Sequence, residues 1–565
     1  MQPILSGWSE RIAEHEDRLF LLLTILIGAI VGLAVVAFIL LTEHVGALIY
    51  PAGGAAWRRL LAPTVGALLM GFLLARYFPQ ARGSGVPQTK AALFAHGGRI
   101  TLRTLLGKFF CTSATLASGI PLGREGPSVQ VGAGIASVLG RRLGLSEEKV
   151  KSLIPVASAA AIAAAFNTPL AGVLFSLEEV MGDLHAPVLG SVVLSSATSW
   201  IVLRMLLGND PLFRVPQYQL VHPLEFGLYA VLGVAGGFVS VAFVKLLLGM
   251  RRWFLRLPKS TEWLQPLAGG VLVGAMAWFV PQVLGVGYRY VGDALQGNLA
   301  LQLMVLLVVL KLLAVTVSYA SGNAGGIFGP SLFIGAMLGG ALGSIAHRLL
   351  PAYTATPGAY ALVGMGALFA GIVRAPMTSV VMIFETTRDY TIIVPLMIAN
   401  LTSFYISRRL QREPIYEALA QQDGVHLPSG KTRSRLRVSL AMRPGAEAIP
   451  AEMSPGAALG KIREFGCRSW PVADARGVRG VISVAQLEDS RADARTVGEL
   501  LEEGALQHVH SDQPLDLALE RMGATGVDVL PVVSRADGRQ LQGVIVLGDA
   551  LAAYGLHDNP PREGA

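Results

Sequence analysis

Glu125 sits between Arg124 and Gly126 at the head of a glycine-rich apolar stretch. A carboxyl group inside such a stretch is expensive to bury, which makes it a functional candidate first; the competing reading is a salt-bridged structural carboxylate. Gly123-Arg124-Glu125-Gly126-Pro127 is one of three glycine-rich segments beside apolar helices, with Gly83-Ser84-Gly85-Val86-Pro87 and Gly325-Gly326-Ile327-Phe328-Gly329-Pro330. Proline favours the first helical position and glycine lets the preceding backbone turn tightly. Each segment therefore reads as a helix N-terminus whose free N–H groups and positive dipole end can hold an anion. Taken singly, each is as well explained by Gly-Pro pairs that break membrane helices and let them pack closely. Three together favour the anion, whose presence would then govern the charge of Glu125.

Two more carboxylates, Glu178 and Glu179, follow the apolar run Leu170 to Leu177, where a helix can emerge into the cytosol; as a bare pattern this is ordinary helix-end charge. Readings as a soluble enzyme fail. Ser429-Gly430-Lys431-Thr432 ends like a phosphate-binding loop, but Gly424 is one residue too far upstream and no strand precedes it, so the segment reads as a polar linker. His15-Glu16 lacks the second histidine of a zinc-protease helix. The two cysteines, Cys111 and Cys467, offer neither a disulfide framework nor a metal site.

The elements that must position these residues are membrane helices. Of the 565 residues, 52% are hydrophobic and 15% charged, a balance a soluble globular protein rarely has. Apolar runs able to cross or enter a bilayer recur from Leu19 to about Leu410 and then stop. The net charge of +8 is carried by clusters such as Arg58-Arg59, Arg141-Arg142, Arg251-Arg252 and Arg408-Arg409 at the ends of apolar runs. Such clusters set membrane topology and speak against nucleic acid as a partner. Glu10, Arg11, Glu14, Glu16, Asp17 and Arg18 precede the first run, the wrong pattern for a signal peptide, so residues 1–17 read as a cytosolic lead-in helix.

The membrane part repeats itself. Glu125-Gly126-Pro127-Ser128 is matched by Phe328-Gly329-Pro330-Ser331, and Asn167-Thr168-Pro169 by Arg374-Ala375-Pro376, with Glu178 and Glu385 each nine residues after its proline. Order and spacing agree, so two homologous halves are expected, residues 18–210 and 222–421. The match alone does not separate parallel from inverted repeats; inversion is the expectation. Apolar segments 104–118, 150–166 and 359–372 are short and bounded by Gly or Pro, which predicts tilted and broken helices that end inside the membrane.

In this order, GSGVP, GREGP and GIFGP resemble the three anion-pathway signatures of the CLC family of chloride channels and proton-coupled chloride antiporters, and Tyr416 in Glu413-Pro414-Ile415-Tyr416 is similar to the family's pathway tyrosine. The resemblance covers residues 18–421. It implies that chloride is held by the Ser84 and Tyr416 hydroxyls and by the backbone N–H groups of Ile327 and Phe328; such neutral donors suit an ion that must also leave. It further implies that Glu125 is a gating glutamate, which fills an anion site when deprotonated and swings away when protonated. Glu179, ten residues after Pro169, matches the internal proton-transfer glutamate of the antiporters, where several pure channels have an apolar residue. Glu178 and Glu385, at matching repeat positions, are expected to be structural. Homodimers with one pathway per subunit are also implied.

From about Val438 the chain alternates short β-branched strands with polar helices and repeats again. Pro455, Trp470-Pro471-Val472 and Gly480-Val481-Ile482-Ser483 correspond to Pro514, Leu530-Pro531-Val532 and Gly543-Val544-Ile545-Val546. This resembles a tandem pair of cystathionine-β-synthase (CBS) modules, residues 438–490 and 496–557, each too small for a comfortable core alone. In such pairs an aspartate after the last strand binds the ribose of an adenine nucleotide. Asp549 stands there in the second module, whereas the first has Gln486, so weak binding at one site is expected, beside a purely structural role in dimer contact. The basic run Lys431, Arg433, Arg435 and Arg437 reads as a solvated linker near acidic lipid.

The expected protein is thus an α-helical integral membrane protein of two homologous repeats of tilted and broken helices, followed by a soluble α/β tandem CBS domain. Its segments are a lead-in (1–17), a transmembrane domain (18–421), a linker (422–437), the CBS pair (438–557) and a tail (558–565). It is expected to be a transporter rather than an enzyme, to need no cofactor or metal, and to sit in a bacterial inner membrane with the CBS pair in the cytosol. Its partners would be chloride, protons, lipid and a second copy of itself. Proton/chloride exchange is the leading expectation, with a passive gated chloride channel as the alternative and a membrane-tethered nucleotide sensor as a third.

Overall fold

Backbone polar groups in lipid must be satisfied within the chain, and the apolar runs accordingly become helices. In the computed structural model of the protein these are α1 (Gln2–Ile49), α2 (Trp57–Arg76), α3 (Val86–Phe94), α4 (Leu102–Ala117), α5 (Glu125–Arg142), α6 (Glu147–Phe166), α7 (Pro169–Phe175), α8 (Leu189–Leu207), α9 (Glu225–Leu255), α10 (Gln265–Phe279), α11 (Tyr288–Leu295), α12 (Leu301–Ala320), α13 (Phe328–Leu349), α14 (Pro357–Val373), α15 (Pro376–Thr387), α16 (Ile393–Leu410) and α17 (Ile415–Gln422). The structure describes residues 2–184, 188–208, 212–213, 215–216, 218, 220–387, 390–425, 427, 436–489, 495–501, 506–535 and 537–554, and only the backbone over 2–19. The Ser429–Thr432 segment, Lys431, Arg433, Arg435 and the tail lie outside the described residues. Among the described residues, seven helices are long and apolar enough to cross a bilayer: α1 from Phe20, α2, α6, α8, α9, α12 and α13.

The repeat runs helix by helix, α1–α8 matching α9–α16 in order. It extends further than the motifs predict: Pro79–Ala81 and Pro281–Val283 both form single 3₁₀ turns, each ahead of a short helix, α3 or α11. α6 and α14 both end on a non-glycine residue in the left-handed conformation, Asn167 (φ 61°) and Arg374 (φ 68°), so each chain turns sharply into the next proline-started helix. One expectation needs correcting. The segment 150–166 is not short: Ser146 caps Lys149 N and Glu147 and Glu148 fill the first turn, extending α6 to 20 residues.

Close helix packing makes the interior. Gly335 of α13 and Gly364 of α14 face each other's carbonyls, and a Cβ on either would stand 2.3 Å from the other's oxygen. Phe328 is caged by Phe166, Phe175 and Phe369 at ring distances of 4.7, 5.6 and 4.3 Å.

The chain divides into two compact units, residues 1–427 and 428–565. The second holds two three-stranded sheets built from β1 (Met442–Pro444), β2 (Ile449–Pro450), β3 (Ser469–Asp474), β4 (Gly477–Ser483), β5 (Val529–Val533) and β6 (Leu541–Val546), in the orders β2-β3-β4 and β1-β6-β5. β3 pairs antiparallel with β4 and parallel with β2; β5 pairs antiparallel with β6 and, through Val509, makes the equivalent parallel bridge. Two modules of one topology follow, tied together because β1, from the first module's sequence, pairs with β6 of the second.

Candidate functional site

The three glycine-rich segments meet. Gly83 bridges Ala324, and Gly123 and Gly326 exchange both backbone bonds at 2.7 Å, an antiparallel pairing of repeat-equivalent residues that marks a local twofold axis. Gly85 (φ 100°) lies so close to Gly126 that a Cβ would stand 2.4 Å from its carbonyl oxygen, and a Cβ on Gly126 would stand 2.6 Å from Ser84 O. Only glycine permits this approach. The N-termini of α3, α5 and α13 thus converge. The loop before α3 is anchored from behind by Lys108, whose Nζ donates to Ala81 O (3.0 Å) and Gly83 O (2.6 Å), and its repeat equivalent before α11 by Lys311, whose Nζ donates to Val283 O (2.9 Å) and Gly285 O (2.5 Å). Both ammonium groups are fully buried and spend their donors on carbonyls instead of on the centre.

At the centre stand donors without partners. The hydroxyls of Ser84 and Tyr416, both 0% exposed and beside each other, find no hydrogen-bond partner of acceptable geometry among the described residues. Tyr416 lies beside Ser84 and within electrostatic reach of both Glu125 and Glu179. The first α13 bond runs from Ser331 N to Ile327 O (3.1 Å), which leaves the N–H groups of Ile327 and Phe328 without an intrahelical acceptor. Buried polar atoms are normally satisfied, so a set of unsatisfied donors at one place is a site for an acceptor that carries no proton. Tyr319, missed from the sequence, adds a further hydroxyl, which accepts from Ser84 N at 3.3 Å.

Glu125 is also fully buried. Its carboxylate accepts from Gly329 N (3.2 Å), in the first turn of α13, and from the Tyr288 hydroxyl. The carboxylate itself therefore occupies an anion position at a helix N-terminus. Tyr288 was not anticipated, although it opens α11 in the repeat of Pro79-Gln80…Gly83-Ser84-Gly85 by Pro281-Gln282…Gly285-Val286-Gly287. Arg124 turns away to Glu43 (3.2 Å). Glu43 lies ~35 Å along α1 from Phe20 at about 1.5 Å per residue, so Glu125 faces the far end of that helix. α2 then runs back, and on the near side Arg82 pairs with Glu262 and Arg251 with Asp423 around a cavity of about 540 Å³ that reaches Gly83 and Tyr319.

Glu179 lies in a six-residue π-helical turn, Ser176–Met181, that continues α7. It is 6% exposed and accepts from Lys90 Nζ at 2.9 Å; Lys90 is also 3.8 Å from Glu417. Its neighbour has another task. Glu178 accepts from Met377 N (3.2 Å) and Thr378 N (2.8 Å) at the start of α15, while Glu385 accepts from Leu170 N (2.9 Å) and Ala171 N (2.8 Å) at the start of α7. Each glutamate satisfies the free N–H groups that open the other repeat's helix.

In the C-terminal unit Asp549 is held by Arg443 of β1 in two bonds, to Nε (2.6 Å) and Nη2 (3.2 Å), and the pairing pushes the guanidinium above its ordinary pKa. Gln486 replaces an aspartate for a local reason: its side chain accepts from Ser483 N (2.9 Å) while Ser483 Oγ accepts from Gln486 N (3.2 Å), a capping box. Val546 offers no such group.

The voltage gated chloride channel family model matches residues 65–408, and the CBS domain model matches residues 500–555. A putative chloride channel protein ClcB-like of Ralstonia nicotianae is 36% identical over 381 residues, 66% of this chain and 88% of that one. An H(+)/Cl(-) exchange transporter ClcA of Vibrio parahaemolyticus is 34% identical over 354 residues, 62% of this chain and 76% of that one. A slow cyanobacterial Cl−/H+ antiporter superposes with a TM-score of 0.64 at 28% identity, over 72% of this chain and 97% of its own.

Proposed function

This chain belongs to the voltage gated chloride channel family, here called CLC, and within it we propose that it exchanges chloride for protons. The observation that carries the exchange reading is that two buried carboxylates lie within electrostatic reach of Tyr416: Glu125 on the N-terminus of α13 and Glu179 against Lys90. Chloride is held by Ser84, Tyr416 and the N–H groups of Ile327 and Phe328, donors that bind an anion without a full positive charge and so release it. Glu125, ionised, competes for the α13 terminus. Protonated, it loses the charge-assisted bond to Gly329 N, leaves, and admits chloride. Glu179 delivers protons from the cytosolic side to Glu125 by a transient water path. A pore that conducted passively would have no use for the second carboxylate.

Liposomes holding the protein under a chloride gradient test this: protons move uphill with wild type. Glu125→Ala carries chloride without protons, and Glu179→Gln carries reduced chloride without protons. Wild type that drives no protons would make the protein a passive gated channel. Ser84→Pro, which removes a donor from the site, raises nitrate transport relative to chloride; an unchanged ratio would remove Ser84 from the ligands.

The protein works, on this reading, as a homodimer in a bacterial inner membrane, packed through residues 170–205 and 376–408, with the CBS pair in the cytosol. The CBS pair takes an adenine nucleotide weakly, at one site per subunit at most, because Asp549 must first be released by Arg443. Monomers alone after cross-linking in bilayers would remove the dimer.

A further inference from the structure

Lys90 is one ammonium between two carboxylates. Its Nζ is 2.9 Å from Glu179 and 3.8 Å from Glu417; Lys90 and Glu179 are buried, whereas the Glu417 side chain is 22% exposed. With both carboxylates ionised the cluster carries a net negative charge in a place where charge is costly to hold, and one added proton makes it neutral. Glu417 is the only member of the three with appreciable exposure. It stands on α17, which ends at Gln422, five residues before the end of the first unit at Leu427.

Resting on the exchange reading above, we propose that Glu417 is the intake through which protons from the cytosolic side reach Glu179, with Lys90 as the relay between them. Glu417 takes a proton from water. The Lys90 ammonium gives a proton to the Glu179 carboxylate and regains one from the Glu417 carboxyl. The sum is one proton moved from Glu417 to Glu179, with Lys90 unchanged. Among the described residues, two other charged groups near the cluster, Arg374 and Glu178, are already engaged. Arg374, within electrostatic reach of both carboxylates, spends its guanidinium on the carbonyls of Ser407, Gln411 and Arg412. Arg408 acts on Arg374 from α16. Glu178 is committed to the α15 terminus. Glu417 also follows Tyr416 directly in the chain, so the proton intake and an anion ligand share one short helix.

The test is the number of protons moved per chloride by purified protein in liposomes, with pH varied on the cytosolic side. Glu417→Gln lowers that ratio about tenfold or more, the scale on which a positioned acid or base contributes, while Glu417→Asp, which restores a carboxylate, keeps most of it. Lys90→Arg keeps the charge but cannot give up a proton, and lowers the ratio as well. Folding of each variant is read from the rise in Tm that chloride produces, so that a misfolded protein is not scored. If wild type moves protons and Glu417→Gln moves as many per chloride with the same pH profile, Glu417 is not the intake and the exchange reading stands. Unchanged transport in Lys90→Arg removes the relay. If wild type moves none, both readings fall together.

Discussion

Removing a hydroxyl from the anion site should stabilise the empty protein. The Ser84 and Tyr416 hydroxyls are fully buried and have no hydrogen-bond partner among the described residues. An unsatisfied buried polar group costs about 1–3 kcal/mol, so Ser84→Ala and Tyr416→Phe each raise stability by a fraction of that amount in chloride-free buffer. With chloride the sign reverses. A hydrogen bond to a charged acceptor contributes about 1.5–3 kcal/mol, which weakens chloride roughly ten- to hundredfold when one donor is lost. At a concentration about 100 times its Kd, chloride stabilises wild type by about 2.7 kcal/mol; a tenfold weaker site leaves about 1.4 kcal/mol. The assay is thermal unfolding of detergent-purified protein against chloride concentration, with gluconate as the inert anion. Both variants unfold at or above the wild-type Tm without chloride and below it with chloride. Variants that lose Tm without chloride and keep the full chloride-dependent rise would show that these hydroxyls serve the fold instead of the ion.

Gly85→Ala puts a Cβ 2.4 Å from Gly126 O at φ 100°, and abolishes the folded, chloride-responsive species in size-exclusion and Tm assays; Gly292→Ala, in α11 with open space around it, is tolerated. Glu178 and Glu385 each cap the other repeat's helix through two backbone N–H groups, so Glu178→Gln and Glu385→Gln each cost about 1–2 kcal/mol, more at Glu178, which also accepts from Thr378 Oγ1; a larger Tm loss at Glu385 would refute this. Arg443→Ala frees Asp549 and tightens adenine-nucleotide binding to the full chain, measured by calorimetry. The exposed pair contributes about 0–1 kcal/mol, so Tm without nucleotide hardly moves. Unchanged affinity would remove Asp549 from a nucleotide site.

Which parts of the chain are membrane helices, that they form two halves, and which residues are candidate anion donors were all legible in the sequence, because these depend on local chemistry. Long apolar runs must be helical in lipid, Gly-Pro segments must start helices, and a duplicated motif keeps its spacing. A buried lysine in each half was equally open to reading: Lys108 and Lys311 are spaced as Glu125 and Phe328 are. Tertiary structure decided what each polar group faces. Glu178 and Glu179 are adjacent and chemically identical in the sequence, yet one caps α15 across the repeat interface and the other pairs with Lys90, since neighbouring residues in a helical turn point in different directions. Tyr288 and Lys90 lie 163 and 89 residues from their partners Glu125 and Glu179, and Glu417 lies 327 residues from its partner Lys90; no local pattern records such a distance. Asp549 kept its predicted position but met Arg443 across a strand pair that forms only when the two modules close on each other. Chemistry carried by a single segment is written in that segment; chemistry that needs two segments exists only once packing has brought them together.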